Sequence, residues 1–505
     1  MSNNKRIAKN TMFLYFRMFI IMGVTLYTSR IVLDKLGVDD FGLYNVVGGV
    51  VGLLAFINGT ISAGTSRFLT FELGKEDVKK LSLTFNTAFY THLVIGIIIV
   101  VALETGGLWF LLNKLVIPPN RLQAALIVYQ ISIFTSLVSL TQVPYTSLIM
   151  AHEEMQIYAY VSIFEAFGKL GVAYMISIAP FDKLITYSLL LCFVQFSIAM
   201  TYRIYCVRNY RESKLQLSYD KDVLKGLLGF SGWNILANLS ETLKLQGFLI
   251  LLNMFFNSSV VAAQTIGNQV AGALMQFINN FRNAINPQII KQYASRDYEA
   301  SKKLTLSSTV YVFDLVLLLG LPTVFTLNTI MGIWLVKVPD YAVLFTQYII
   351  IQRIISTFDA SFYIPLMAAA KIKDNSIIAS ISGPGLFVLL YFIYKFGGDV
   401  MWMQYLGVVV QCAFGFFIKP CLLIKHVKGY TLRDFLPCYV SCLKVTLLSF
   451  SLTIIAYLLI GNQDIISSCF LFMSSLLSVA LSSYIFLEKD VKSKLRAIVL
   501  EKIHL

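Results

Sequence analysis

Two arginines and a set of side-chain amides lie inside the most hydrophobic stretches of this chain, where charge and polarity are costly. Arg17 and Arg282 each sit within an apolar run. A charged side chain at bilayer depth costs about 2.5–3.5 kcal/mol on insertion scales. A guanidinium kept there is chemically useful, because its planar fork pairs bidentately with a carboxylate or a phosphate. The stretch Gln264–Pro287 surrounds Arg282 with amides. Wound as a helix, Gln264, Asn268, Asn279, Asn283 and Arg282 all fall within about one third of the circumference. The segment before it places Asn234 and Asn238 on a second polar face with Ser231, Glu241 and Thr242. Primary amides both donate and accept hydrogen bonds, which suits a ligand rich in hydroxyls. Arg17, Arg282, Asn234, Asn238, Gln264, Asn268, Asn279 and Asn283 are therefore the candidate substrate-binding residues.

The plainer alternatives are concrete. Arg17 is close enough to the start of its segment to reach headgroups by snorkelling, and Arg282 could anchor the far end of its own. Glu241 and Lys244, at i and i+3, can pair and hold helices together. Glu165 and Lys169 read as a structural i, i+4 pair. Asp314 and Asp359 are isolated in apolar sequence, and an unpartnered buried carboxylate becomes protonatable. Glu241, Asp314 and Asp359 are thus the coupling-ion candidates. Four widely spaced histidines and seven cysteines in or beside apolar runs make no metal-ligand cluster, and no disulfide framework is expected. Without a GxxxxGK[ST] loop, ATP hydrolysis within the chain is not expected, and no cofactor is. Nothing marks a catalytic residue, so the chain reads as a transporter and not an enzyme.

The elements that must position these residues are membrane helices. The chain has 505 residues, 57% of them hydrophobic and only 13% charged. Apolar runs of spanning length recur, which gives an all-α, polytopic membrane protein. Fourteen spans are expected, near 11–33, 42–64, 83–104, 122–149, 156–179, 184–206, 225–252, 260–286, 305–330, 343–369, 376–395, 401–424, 436–460 and 465–487. Connections are short. With the N-terminus in the cytoplasm, 28 of the 41 Lys and Arg fall in cytoplasmic segments and 6 on the opposite side. That asymmetry places both termini in the cytoplasm. It also accounts for the net charge of +14, so no nucleic acid is implied. The N-terminal run lacks a cleavage site and reads as an anchor.

The chain repeats at an offset of 221: Phe56-Ile57-Asn58 recurs as Phe277-Ile278-Asn279, and Gly74-Lys75-Glu76-Asp77 overlies Ser295-Arg296-Asp297-Tyr298. A shift of six spans preserves orientation, so the repeat is parallel, with a binding site expected between the halves. The division that follows is 1–210, an N-terminal six-helix lobe; 211–425, a C-terminal six-helix lobe; and 426–505, two further helices and a tail.

Arg30-Ile31-Val32-Leu33 followed by Asp34-Lys35-Leu36-Gly37-Val38-Asp39-Asp40-Phe41-Gly42-Leu43-Tyr44 resembles the R-x-L-G-x-x-x-x-G-L-Y signature of polysaccharide repeat-unit flippases of O-antigen and capsule type. These belong to the multidrug/oligosaccharidyl-lipid/polysaccharide exporter superfamily, with the lipid II flippases and the MATE transporters. The charged loop Gly74–Lys80 and Pro287 also resemble that family. The resemblance implies two six-helix lobes around a central cavity, two extra C-terminal helices, and cavity arginines on the first and eighth helices that hold a lipid diphosphate. Arg17 and Arg282 match by helix.

The expected function is flipping of isoprenoid-diphosphate-linked oligosaccharide units across the bacterial cytoplasmic (inner) membrane by alternating access, for cell-surface polysaccharide such as lipopolysaccharide. Membrane lipids and a glycan polymerase are the expected partners. A MATE-type cation or drug antiporter is the alternative; it would need cavity acids, and the first span has none. A membrane glycan polymerase is a third reading, against which stand the short outer loops.

Overall fold

In the computed structural model the chain folds as described below. The structure describes residues 3–75, 77–461, 464–487 and 492, without the side chains of residues 3–17, 55, 60, 63, 155, 228–237, 277, 280, 283 and 284. The described residues hold helices and no strand. They form fourteen helical rods: α1 (Asn3–Leu36), α2 (38–74), α3 (Val78–Lys114), α4 (Leu122–Ala151), α5 (Met155–Ile178), α6 (Lys183–Asn209), α7 (221–255), α8 (Ser258–Ala294), α9 (Tyr298–Trp334), α10 (Ala342–Ala368), α11 (Lys373–Lys395), α12 (Trp402–His426), α13 (Leu432–Ile460) and α14 (Ile465–Phe486). Each coincides with one expected span. Nine pass a strict test of length and hydropathy among the described residues, and α2, bent by 51° between Gly52 and Phe56, makes a tenth. The chain is a multi-pass membrane protein.

The signature glycines have physical reasons. Gly37 joins α1 to α2 at φ +80°, a conformation a Cβ would strain. Gly42 lies against the backbone of Ser258, where a Cβ would come within 1.8 Å of the carbonyl oxygen. α2 and α8 each lead through a short turn into the next helix, and the Asp77 and Asp297 carboxylates accept from the N–H of Lys80 and of Ala300, both at 3.1 Å, as N-caps.

By packing, the chain forms two compact units: 1–265 with 335–340 and 377–400, and 266–334 with 341–376 and 401–505. These cut across the repeat-based division, because α7 and α11 group with the first unit. Ser240 on α7 donates to the Ala379 carbonyl at 2.6 Å, and Gly383 approaches its backbone too closely for any side chain. The first unit is cored by Leu69, Phe85, Tyr145, Leu148, Ile149 and Ile198. On the side opposite the basic loops, Arg121 bridges Asp40 and Asp182; its Nε reaches Asp40 at 2.8 Å. Burial lifts the Asp40 carboxyl above its usual range, and Arg121 offsets only part of this. Burial also acts on Asp182, but the Arg121 hydrogen bond and the backbone N–H groups of Ile185 and Leu184 outweigh it and hold that carboxyl low. In the second unit α9, α13 and α14 are joined by hydroxyls: Thr453 bonds Ser475 and Ser478 at 3.1 and 3.0 Å, and Thr329 bonds Ser468 at 2.7 Å. Small polar residues act this way between membrane helices, where apolar burial gives no preference for protein over lipid.

Candidate functional site

Arg282 is positioned by the helix that carries it. One turn earlier, Ile278 is buried against Val312 and Val316 of α9, with Met275 and Phe281 flanking. This fixes the rotation of α8. Nε and Nη2 of Arg282 are then shielded from solvent and donate to no atom among the described residues. The nearest acid to act on it is Asp359 of α10, at a distance beyond a direct ion pair among the described residues.

Asp359 is not isolated, which corrects the sequence reading. Lys419 of α12 pairs with it at 3.0 Å, and the lysine side chain is only 5% exposed. The Lys419 ammonium also lies 4.8 Å from the centre of the Tyr363 ring. The pairing removes the main reason for treating Asp359 as a freely titrating coupling group.

Lys419 was not among the sequence candidates, and the structure buries it. A π-helical turn, Ala413–Ile418, ends immediately before it. A π turn shifts the register of every later residue, so helical periodicity read through it fails. Beside the pair, Phe358, Phe362, Phe416 and Phe435 surround Tyr439, whose hydroxyl donates to the Gly415 carbonyl at 2.8 Å. Gly415 packs closely there, since a Cβ would meet Phe358 at 3.2 Å. This aromatic cluster locks α10, α12 and α13 around the charges. Arg282, Lys419 and Asp359 thus form a cluster with one more cation than anion, all within the second unit.

The other candidates divide. Gln264 is buried and Asn268 half-buried, whereas Asn279 is exposed. Asn238 faces Gly59 of α2, within 3.9 Å of the position a Cβ would take. The side chains of Arg17, Asn234 and Asn283 lie outside the described residues. Glu241 pairs with Lys244 at 3.0 Å while 65% exposed, and Glu165 pairs with Lys169 at 2.7 Å. Asp314 is not in purely apolar surroundings either. It lines a pocket with the Lys302–Asp434 pair and lies against Ser483 of α14.

The sequence reading also missed a polar cavity of about 290 Å³ inside the first unit, lined by Tyr44, Asn58, Ser188 and the hydroxyls of Ser132, Ser136 and Ser139. Those three serines recur at i, i+4 and i+7 of α4, so the signal was present. Gln195 extends the polar lining, donating to Ser139 and Gln142 at 3.2 Å each.

No family model matches the sequence, and no curated protein does. Solved structures do match. The lipid II flippase MurJ in an inward closed conformation aligns with a TM-score of 0.70 over 95% of this chain and 98% of that chain, at 11% identity. The chain has the fold of the MOP superfamily. An inward-facing multidrug resistance MATE family transporter of that superfamily aligns at 0.66, with 12% identity, over 84% of this chain and 98% of that one. A MOP superfamily transporter from Pyrococcus furiosus, described as having a binding pocket of reverse polarity, aligns at 0.57, with 13% identity, over 86% and 95%. These neighbours are described as a flippase and transporters.

Proposed function

We propose that the protein flips isoprenoid-diphosphate-linked oligosaccharide units from the cytoplasmic to the outer leaflet, by alternating access, for cell-surface polysaccharide synthesis. The observation that carries this reading is the Arg282 guanidinium with two shielded, undonated N–H groups beside the Lys419–Asp359 pair. A buried donor left unpaired costs about 1–3 kcal/mol, and more when it is charged. A diphosphate supplies the missing acceptors and the negative charge that the cluster lacks. Arg17 is the second proposed cation. Gln264, Asn268 and Asn238, with Asn234, Asn279 and Asn283, are proposed to meet sugar hydroxyls. The charge asymmetry of the loops supports a cytoplasmic position for both termini and for the Arg282 end of α8.

The fold serves drug antiporters as well, so the sign of the buried charge decides between the readings. A cluster with surplus positive charge repels organic cations, which favours an anionic substrate. Glu241 and Asp314 remain proposed coupling groups. The test is binding of an isoprenyl diphosphate to the purified protein. Arg282→Ala is expected to weaken it at least tenfold, while Asn279→Ala changes it less. Equal binding by wild type and Arg282→Ala, at equal folded fraction, contradicts the assignment.

A further inference from the structure

α13 has 29 residues and α14 has 22, and the link at one end spans only 461–464. The other ends are therefore offset, and the first turns of α13 pass about 10 Å beyond the end of α14. At about 33 Å, α14 matches the hydrocarbon core alone, so the notch above its end lies at the height of the lipid headgroups. Among the described residues the notch holds a pocket of about 390 Å³, walled by α9 and α13 and floored by Ser483, Phe486 and Leu487, and Lys492 beyond it donates to the Ile485 carbonyl at 2.7 Å.

Its polar groups are unevenly satisfied. Lys302 is occupied by Glu299 at 3.0 Å, Asp434 at 3.4 Å and the Gly429 carbonyl at 2.8 Å. Its neighbours at the rim, Lys303 and Arg433, have no partner among the described residues, and both are exposed. At the inner end Ser483 supports the Asp314 carboxyl, but its Oδ1 is shielded from solvent and accepts no hydrogen bond among the described residues. One ligand that meets all three carries an anionic group, for which a phosphate suits the arginine fork, and a strong donor. The two ends are about 16 Å apart along α9. A bare phosphate cannot reach both, whereas a phosphate bearing an amine arm can, once the two rim cations extend toward it. The apolar wall, Val310 and Val445 with Phe486, suits the start of an acyl chain.

We propose that this notch is a binding site for an aminophospholipid of the phosphatidylethanolamine class, its phosphate on Arg433 and Lys303 and its ammonium on Asp314. The site is separate from the Arg282 cluster; it shares Asp314 with the proposed coupling groups, and lipid binding without transport reads it apart from that role.

The test is lipid retention by the full-length protein in detergent, measured by native mass spectrometry with dioleoyl phosphatidylethanolamine, phosphatidylcholine and phosphatidylglycerol. Phosphatidylethanolamine is expected to bind at least tenfold more tightly than phosphatidylcholine, whose quaternary amine has no N–H to donate. Asp314→Asn is expected to remove that preference, and Arg433→Ala with Lys303→Ala to weaken both lipids. The rim pair is exposed, so that variant reads binding without loss of fold, and melting temperatures confirm it. Equal affinity for all three lipids overturns the proposal, as does an unchanged preference in Asp314→Asn. Competition by soluble phosphoethanolamine as effective as by the whole lipid overturns the lipid assignment. Displacement by an isoprenyl diphosphate overturns the separation from the transport site.

Discussion

At the level of single residues, the buried charges form small ledgers that do not close within the protein. Lys419 has Asp359, but Arg282 has only a share of the same carboxylate's field. Removing one partner of a buried pair strands the other, at about 3–5 kcal/mol, whereas replacing both with apolar residues is often neutral. Asp359 is one third exposed, so Asp359→Asn is expected to cost about 3 kcal/mol, the low end of that range. The double change Asp359→Leu with Lys419→Leu should recover more than half of it. Thermal unfolding in detergent checks both.

A second ion pair gives a pH signature. Asp374 accepts from Lys425 and His426, both at 2.8 Å, and the Lys425 and then the His426 hydrogen bond hold its carboxyl at about 2, against an ordinary 3.8. A depressed carboxyl stabilises the fold above pH 3.8, and that contribution is lost as pH falls through about 2. The gap in melting temperature between wild type and Asp374→Asn should therefore be present at pH 6 and vanish near pH 2.

Among the elements, Gly42 is the most exacting contact. A methyl group there would meet the Ser258 carbonyl oxygen at 1.8 Å, so α2 and α8 would have to separate. Gly42→Ala is expected to destabilise by about 1–3 kcal/mol, with lower yield of folded protein, read by size exclusion and thermal unfolding. The fourteen helices were legible in the sequence because each must hide its backbone from lipid and therefore runs about twenty apolar residues. Glycines 37 and 42 were legible as a motif, and the turn and close approach that require them became visible only in the fold. Pairings between helices were not legible. Asp359 looked isolated because its partner is sixty residues away, on another helix just past a π turn. Asp314 looked apolar because Ser483 and Asp434 lie on other helices, far along the chain. The polar faces of α7 and α8 were visible as periodicity, but which of their amides are buried depends on packing. Gln264 is buried while Asn279, on the same face, is exposed.

For the whole molecule, the fold is shared by a lipid II flippase and by multidrug transporters, and only a transport measurement separates the two readings. Purified protein in liposomes should expose a fluorescent isoprenyl-diphosphate-linked oligosaccharide to a reagent on the far side faster than empty liposomes do. Arg282→Ala should slow this at least tenfold, and Arg282→Lys less, since a point charge keeps attraction but loses the bidentate fork. Organic cations should not move. Rapid flipping that is unchanged in Arg282→Ala at equal reconstituted amount, or transport of cationic drugs without flipping of the lipid, would contradict the assignment.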